Sequence, residues 1–288
     1  MNNKIKRILV GIDFSEPSIN ALHSAACIAE KNAASLYIVY AQDNILEFIG
    51  VNTLTIKSIN SNSASILSAM ANDITAKSDI DIVLIQEKSL ATEAILRCAV
   101  KNNCDLIVMG TYGATGFRSG YIGTTAYNVI KFAVCPVLLI PPGRKWGSFN
   151  NALFPIRPVM TALRHYDIIR NFMESYAILN VIGLSHFGQD GKLAKLDELI
   201  AAIGDKLEED KVTPKIKYNT DGSIPFNVLA EAEKNNADLI IVTSVIDVST
   251  KQFYIGPNTH AIIHNAKVPL LIINKINTQT LAPVKASL

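Results

Sequence analysis

The sequence predicts an α/β protein made of two tandem copies of one parallel-sheet domain. Short apolar runs alternate with amphipathic helical patterns along all 288 residues. Segments of the first half recur in the second half, and Pro and Gly cluster between the two. Strands that are apolar at consecutive positions are typical of parallel sheets covered by helices on both faces. The length agrees with two domains of ordinary size.

The internal repeat sets the domain organisation. The segment from Val100 to Gly110 recurs from Glu233 to Thr243, an offset of 133, and Cys135–Ile140 recurs as Val268–Ile273 at the same offset. Residues 8–13 recur as 152–157, an offset of 144, so we expect an insertion or deletion of 11 residues, placed within 44–65. A repeat this long indicates tandem domains and not a solenoid. We predict domains at 1–143 and 149–288, joined near the Pro- and Gly-rich segment 141–148.

Each predicted element follows from the apolar period and its flanking residues. Ser15 and Pro17 are start signals for the first helix, and apolar residues then recur on one helical face. In the first half the predicted strands are Arg7–Ile12, Ser35–Ala41, Asp81–Glu87, Leu106–Met109 and Val137–Ile140, with further helices at Ser63–Lys77, Thr92–Asn102 and Thr124–Phe132. In the second half they are strands near Asn151–Ile156, Ala177–Gly183, Lys215–Asn219, Leu239–Thr243 and Leu270–Ile273, with a helix at Lys192–Glu209.

A glycine-rich segment carries the strongest functional signal. Gly110 ends an apolar run, Gly113 follows, and Gly123-Thr124 comes after a spacer of nine residues, where a helix is predicted to begin. Backbone N–H groups in such a loop, together with the positive end of the helix, bind phosphate. Glycine permits close approach of a ligand and positive φ angles. An ordinary surface loop is the alternative.

Charge, cysteines and histidines exclude several other classes. Twenty-seven basic residues against 25 acidic ones give no electrostatic reason to expect nucleic acid or an anionic membrane as partner. No apolar run has the length of a signal peptide core or of a membrane span, and the four cysteines form no Cys-x-x-Cys pair, so we expect a cytoplasmic protein with reduced thiols. The five histidines show no metal-ligand grouping, and no Walker or Gly-x-Ser-x-Gly motif is present.

Taken together, the segment Asp13-Phe14-Ser15, the glycine frame with Thr124, and Cys135-Pro136-Val137 resemble the universal stress protein family. The resemblance covers the whole chain as a tandem pair, and the glycine frame is that family's ATP-binding signature. It implies two doubly wound domains, each with a five-stranded parallel sheet in the order 3-2-1-4-5. Strands 1 and 4 are then neighbours, and Asp13 and Gly110 flank one crevice at the carboxyl edge.

The resemblance also implies roles for single residues. The three glycines would present backbone to the phosphates of ATP, and Thr124 would add a hydroxyl. Asp13 would face the ribose or a magnesium ion, and both remain open beside the alternative that it caps the turn into the first helix. The implied nucleotide-binding residues are Asp13, Ala41, Met109, Gly110, Gly113, Gly123 and Thr124.

The second half departs from the pattern. Arg157 stands in place of Asp13, Thr243 in place of Gly110, Ile246 in place of Gly113 and Pro257 in place of Thr124, while Gly256 remains. Isoleucine and proline there remove space and N–H donors together. We therefore expect ATP in the first domain only. Binding of another ligand through Arg157 stays open.

These observations favour a nucleotide-dependent stress-response regulator over a metabolic enzyme. A slow ATPase is the first alternative, although no residue has an obvious role as base for water. An interaction protein that binds no nucleotide is the second. The fifth strands are apolar edge candidates, so we expect the two domains to pack through them as an intramolecular pseudo-dimer. Pairing of whole chains into a homodimer stays open.

Overall fold

A computed structural model describes residues 5–42, 53–112, 122–143, 149–156, 166, 168–170, 178–184, 190–209, 213–219, 222–243 and 255–273. Strands and helices alternate from residue 7 to 140 and from residue 178 to 273, as predicted. The strands are β1 (Arg7–Ile12), β2 (Ser35–Ala41), β3 (Ile82–Glu87), β4 (Leu106–Gly110), β5 (Val137–Ile140), β6 (Asn151–Ile156), β7 (Ile178–Leu184), β8 (Thr213–Asn219), β9 (Leu239–Thr243) and β10 (Leu270–Ile273). The helices are α1 (Glu16–Asn32), α2 (Thr53–Thr75), α3 (Ala91–Lys101), α4 (Thr124–Phe132), α5 (Asp190–Glu209), α6 (Ile224–Lys234) and α7 (Pro257–Asn265).

All the strands of the described segments belong to one sheet, in the order β3-β2-β1-β4-β5-β10-β9-β6-β7-β8. Each half therefore has the predicted order 3-2-1-4-5. Pairing is parallel within each half, whereas β5 and β10 pair antiparallel, with Leu138 opposite Leu271. The two halves thus join through their fifth strands, which relates them by an approximate twofold axis.

The pairing registers locate the length difference between the copies. Leu36 of β2 lies opposite Ile8, and the equivalent Leu179 of β7 lies opposite Ala152. Leu36 pairs on its other side with Ile82, and Leu179 pairs with Pro214. The difference in residue number between equivalent positions is 143 for Leu36 and Leu179 and 132 for Ile82 and Pro214. The first half is therefore longer by 11 residues between its second and third strands, β2 and β3.

One backbone clamp recurs in both halves. The carboxylate of Asp105 accepts hydrogen bonds from the backbone N–H groups of Lys6 (2.9 Å) and Arg7 (3.0 Å). Asp238 accepts the equivalent bonds from Asn150 (2.8 Å) and Asn151 (3.0 Å). Each aspartate precedes the fourth strand of its half and holds the start of the first strand beside it.

The start of α1 follows local chemistry, whereas the start of α2 does not. Ser15 caps α1 by accepting from the N–H of Ser18 (3.4 Å), and Pro17 lies in the first turn, as predicted. Helix α2 begins at Thr53, ten residues before the predicted start at Ser63. The segment 53–62 is rich in threonine, serine, asparagine and isoleucine, whose low helix propensities gave no sign of a helix there.

Helices cover both faces of the sheet, which makes each half doubly wound. One apolar layer contains buried residues of α1, α2 and α5, such as Leu22, Leu67 and Ile203. The opposite layer contains residues of α3, α4, α6 and α7, such as Ile95 and Ile262. Within the described segments, no helix is both long and apolar enough to cross a lipid bilayer.

Candidate functional site

The candidate site lies where β1 and β4 end side by side. The two strands pair in parallel, with Val10 opposite Val108, so Asp13 after β1 and Gly110 at the end of β4 share the carboxyl edge. The chain crosses from β1 to β2 on one side and reaches β5 from β4 on the other. This is the topological switch point, where open α/β sheets bind ligands.

Asp13 holds the turn between β1 and α1. Its Oδ1 accepts hydrogen bonds from the backbone N–H of Ser15 (3.0 Å) and from the Ser15 hydroxyl. Its own N–H donates to Oγ of Ser18 (3.3 Å). The turn-forming role considered from the sequence is therefore present, with Ser15 and not Asp13 as the cap. The carboxylate is held in a fixed orientation at the edge of the sheet.

Two aromatic residues beside Asp13 were not predicted from the sequence. Phe14 has a left-handed backbone with φ of 63°, which is strained for a bulky side chain. Its ring packs on Tyr40, with centroids 4.8 Å apart. Burial raises the pKa of the Tyr40 hydroxyl, and the negative charge of Asp13 raises it further. The one feature of the sequence that could have pointed to Tyr40 is its position near the end of β2.

Gly110 has a packing role that the sequence did not reveal. A Cβ atom built on Gly110 would lie 2.7 Å from Cβ of Pro17 and 2.9 Å from its carbonyl carbon. Cβ atoms essentially never make contacts this short, so any other residue would force a shift, and glycine lets the first turn of α1 pack directly over the end of β4. This packing brings the start of α1 and the end of β4 together at the candidate site.

The glycine-rich loop closes on itself at its ends. The N–H of Gly123 donates to the carbonyl of Thr111 (2.8 Å), and the N–H of Thr111 donates to the carbonyl of Ile140 (3.2 Å). The start of α4 therefore lies beside the end of β4, as the phosphate-site hypothesis needs. Gly113 falls outside the described residues.

The start of α4 offers backbone donors. Gly123 is the N-cap, with extended backbone and no capping side chain. Its own N–H is already bonded to Thr111, so the donors for an anion are the N–H groups of Thr124, Thr125 and Ala126, which begin the helix. The N–H of Tyr127 donates to the carbonyl of Gly123 (2.9 Å) in the first helical bond. Thr124 is exposed to solvent.

Ala41 and Met109 lie on one face of the sheet, the face covered by α3 and α4. Ala41 is half-buried at the end of β2, and Met109 is buried next to the end of β4. Both belong to the same apolar layer, together with Ile122 and Tyr127 from the start of the α4 region. Ile122 directly precedes the N-cap of α4, so this apolar layer reaches the start of that helix.

The equivalent edge of the second half is different. Helix α7 begins at Pro257 after the N-cap Gly256, and proline has no N–H to donate. Thr243, the counterpart of Gly110, is buried at the end of β9. Arg157 and Ile246, the remaining substituted positions, lie outside the described residues.

The described segments hold no cluster of metal-ligating side chains, and burial keeps three of the four thiols protonated. No group of three or more His, Cys, Asp or Glu side chains there could hold a metal ion. Burial raises the pKa of the Cys104 and Cys135 thiols to about 12, and raises that of Cys98 as well. These thiols stay protonated at neutral pH. Cys27 is exposed, and the four cysteines are free.

A model of the universal stress protein family matches residues 4–141 and 181–274, together more than half of the chain. A universal stress protein of Methanocaldococcus jannaschii is 29% identical over 151 residues, which cover 50% of this chain and 86% of that protein. Another, from Thermus aquaticus, is 31% identical over 137 residues, covering 47% and 98%. Both therefore match about half of this chain.

The structural comparison extends over both halves. The crystal structure of a universal stress protein from Archaeoglobus fulgidus aligns with a TM-score of 0.69 at 19% identity, covering 94% of this chain and 97% of that one. A universal stress protein structure from Pseudomonas aeruginosa aligns with a TM-score of 0.63 at 16% identity, covering 93% of each. Since the family model matches in both halves, the chain belongs to the universal stress protein family, in a tandem form.

Proposed function

We propose that this protein binds ATP at the switch point of its first half and acts as a nucleotide-dependent stress-response regulator. The observation that carries the proposal is the placement of Asp13, Gly110 and the start of α4 at one sheet edge. A helix N-terminus with unbonded N–H groups attracts phosphate through hydrogen bonds and through its dipole. The complete glycine frame of the sequence leads into this helix.

Each residue takes a role that fits its position. The N–H groups of Thr124 and the next two residues bind phosphate oxygens, and the Thr124 hydroxyl adds a further donor. Gly110 allows α1 to pack closely over the end of β4, which brings the start of α1 and the end of β4 together at this edge. Met109 and Ala41 supply apolar surface for the adenine. The role of Gly113, to supply backbone N–H donors, is inferred only from the sequence pattern of the family.

Asp13 is the residue that would bind a magnesium ion at this edge. A carboxylate oxygen is a ligand that Mg²⁺ prefers, and phosphate oxygens complete such sites. Asp13 is oriented by Ser15 and so offers a fixed negative charge at the same edge. The ion would neutralise phosphate charge. Contact between Asp13 and the ribose hydroxyls is the alternative role.

The second half is proposed to bind no ATP. Pro257 removes the first N–H donor of α7, and Thr243 adds a side chain where the first half has Gly110. The sequence adds Ile246 and Arg157 at the other two equivalent positions. The result is one nucleotide per chain.

Identification of the nucleotide that co-purifies with the protein tests the proposal. The purified chain is denatured, and the released small molecules are identified by mass spectrometry and quantified against protein. ATP at a ratio near one per chain is the expected result. ADP or AMP would favour slow hydrolysis. If nothing is released and calorimetry detects no ATP binding, the protein acts without nucleotide and the proposal fails.

A further inference from the structure

The two outer edges of the ten-stranded sheet are built differently. Strand β3 forms one edge and β8 the other, and they are equivalent strands of the two halves. The registers of β3 on β2 and of β8 on β7 show which positions are equivalent in the two halves. Pro214 is the equivalent of Ile82, Lys215 of Val83 and Lys217 of Ile85. Proline and lysine on an edge strand are the usual protection against pairing with another chain. The β8 edge has this protection and the β3 edge lacks it.

The hydrogen bonds between β2 and β3 show which backbone groups face outward on β3. The carbonyl of Asp81 accepts from Leu36 (2.8 Å) and that of Glu87 accepts from Gln42 (2.8 Å), so these odd-numbered residues face β2. Because the direction alternates along a strand, the N–H and C=O groups of Ile82, Leu84 and Gln86 point away from the sheet. At β8 the first of these positions is Pro214, which has no N–H to offer.

Apolar side chains are exposed along the same edge. Val83 and Leu84 are 36% and 37% exposed, and Ile66 of the adjacent helix α2 is 37% exposed. Helix α2 packs on one face of β3, whereas α3 on the other face packs on β1 and β2. The outer strand therefore leaves apolar surface open on both faces.

The helix beside this edge is almost uncharged. Only Lys57 and Asp73 are charged among the 23 residues of α2, and Asp73 is paired with Lys77 (2.7 Å). The equivalent helix α5, beside the β8 edge, has nine charged residues among 20. Exposed positions of α2 near Ile66 are occupied by alanine and serine, which permit close approach of another helix.

We propose that the β3–α2 edge is the surface through which two copies of this chain associate, by antiparallel pairing of β3 with β3. In such a contact each residue near the twofold axis lies close to the same residue of the other chain, so a charged residue there would face a like charge. The nearly uncharged edge fits a second copy better than a charged partner. Since the β8 edge is protected, the assembly closes at two chains and does not extend into a fibre.

The apolar residues select the register. With Leu84 opposite its own copy, Val83 lies opposite Ile85, and the outward backbone groups of Ile82 meet those of Gln86. At the ends Glu87 lies opposite Asp81, and Arg97, which binds Glu87 (2.8 Å), offsets this repulsion. The sheet would continue through the contact, with α2 beside its own copy on one face. This assembly does not depend on nucleotide binding.

The mass of the full chain in solution, with and without edge substitutions, tests the proposal. Sedimentation velocity should give twice 31.3 kDa for the unaltered protein. Leu84→Lys should weaken the dimer at least tenfold and shift the mass toward that of a single chain. Ile82→Pro should do the same, because it copies Pro214 and removes an outward N–H without breaking a bond to β2. Phe226→Lys is the matched control, since Phe226 is 70% exposed, far more than Leu84, and lies in α6, outside this edge; it should leave the dimer intact.

Cross-linking tests the register directly. In a Cys27→Ser background, which removes the exposed thiol, Leu84→Cys should form a disulfide-linked dimer on mild oxidation. Circular dichroism checks that each variant is folded. The proposal would be overturned if the unaltered protein kept a single-chain mass when its concentration was raised 100-fold above the micromolar range. So would a dimer that survives both edge substitutions in folded protein.

Discussion

The first turns of α4 and α7 occupy equivalent places in the two halves but offer different chemistry. Each helix follows a glycine with extended backbone, and neither has a capping side chain. Helix α4 begins with the N–H of Thr124, whereas α7 begins with Pro257, which has none. Proline is favoured at the first helical position, so the exchange preserves the helix while it removes an anion donor. The two halves thus differ in the backbone donors at this position while they keep the same architecture.

Exchanging this one residue between the halves has the largest expected effect. Thr124→Pro should keep α4 folded and weaken ATP binding by roughly tenfold to a hundredfold, because a hydrogen bond to a charged group contributes about 1.5–3 kcal/mol. Isothermal titration calorimetry measures the change. Thr124→Ser is the matched control, which keeps both N–H and hydroxyl and should bind nearly as the unaltered chain does. Equal affinity in the proline variant would show that the start of α4 does not hold phosphate.

The converse exchange sharpens the same comparison. If Pro257 alone prevents binding in the second half, Pro257→Thr would create a second site. We expect it not to, because Thr243 and Ile246 remain in place of glycine. Titration of this variant should still saturate at one ATP per chain.

Gly110 distinguishes packing from ligand binding at the same edge. Gly110→Ala should lower the free energy of unfolding by about 1–3 kcal/mol, since the new Cβ would meet Pro17 at 2.7 Å and force a shift of α1 or β4. Thr243→Ala in β9 is the control, because that position already carries a Cβ, and it should cost less. Urea denaturation of both variants gives the two values. If Gly110→Ala were as stable as the control, the close contact would not constrain this position.

Local pattern was enough for most elements of the fold, and long-range packing explains what it missed. Apolar runs marked the strands, and Ser15 and Pro17 marked the start of α1. The strand order came from the family resemblance, because which strands pair is not a local property of the sequence. Helix α2 was predicted too short, since Thr53–Asn62 has no strong helix signal of its own.

The candidate site shows the same division. Gly110 and Gly123 of the glycine frame lie at the edge where β4 ends and α4 begins, and nucleotide binding there stays a prediction. Two details depended on residues far apart in the chain. The packing of Pro17 on Gly110 and the bond from Gly123 to Thr111 each join segments that only the folded chain brings together. The strained backbone of Phe14 is likewise visible only in three dimensions.

The aspartate clamps test whether the halves remain equivalent away from the site. Asp105→Ala and Asp238→Ala should each lower the free energy of unfolding by about 1 kcal/mol, because each leaves two backbone N–H groups without their acceptor. Water reaches these exposed groups and limits the loss. The two losses, measured by urea denaturation, should agree within about 0.5 kcal/mol. A much larger loss in one half would mean that the halves differ in more than the residues at the start of α4 and α7.

The smallest expected effect concerns a charged pair found in one half only. Lys267 and Glu233 lie 3.9 Å apart with side chains 88% and 81% exposed, and Val134 and Val100 occupy the equivalent positions in the first half. Solvent and salt screen such a pair, so Glu233→Gln should change the free energy of unfolding by less than about 0.5 kcal/mol. The pair then contributes to solubility of that surface more than to stability. Denaturation at low and high salt measures both numbers. A larger loss that disappears in salt would show that the second half depends on surface charge for its stability where the first half does not.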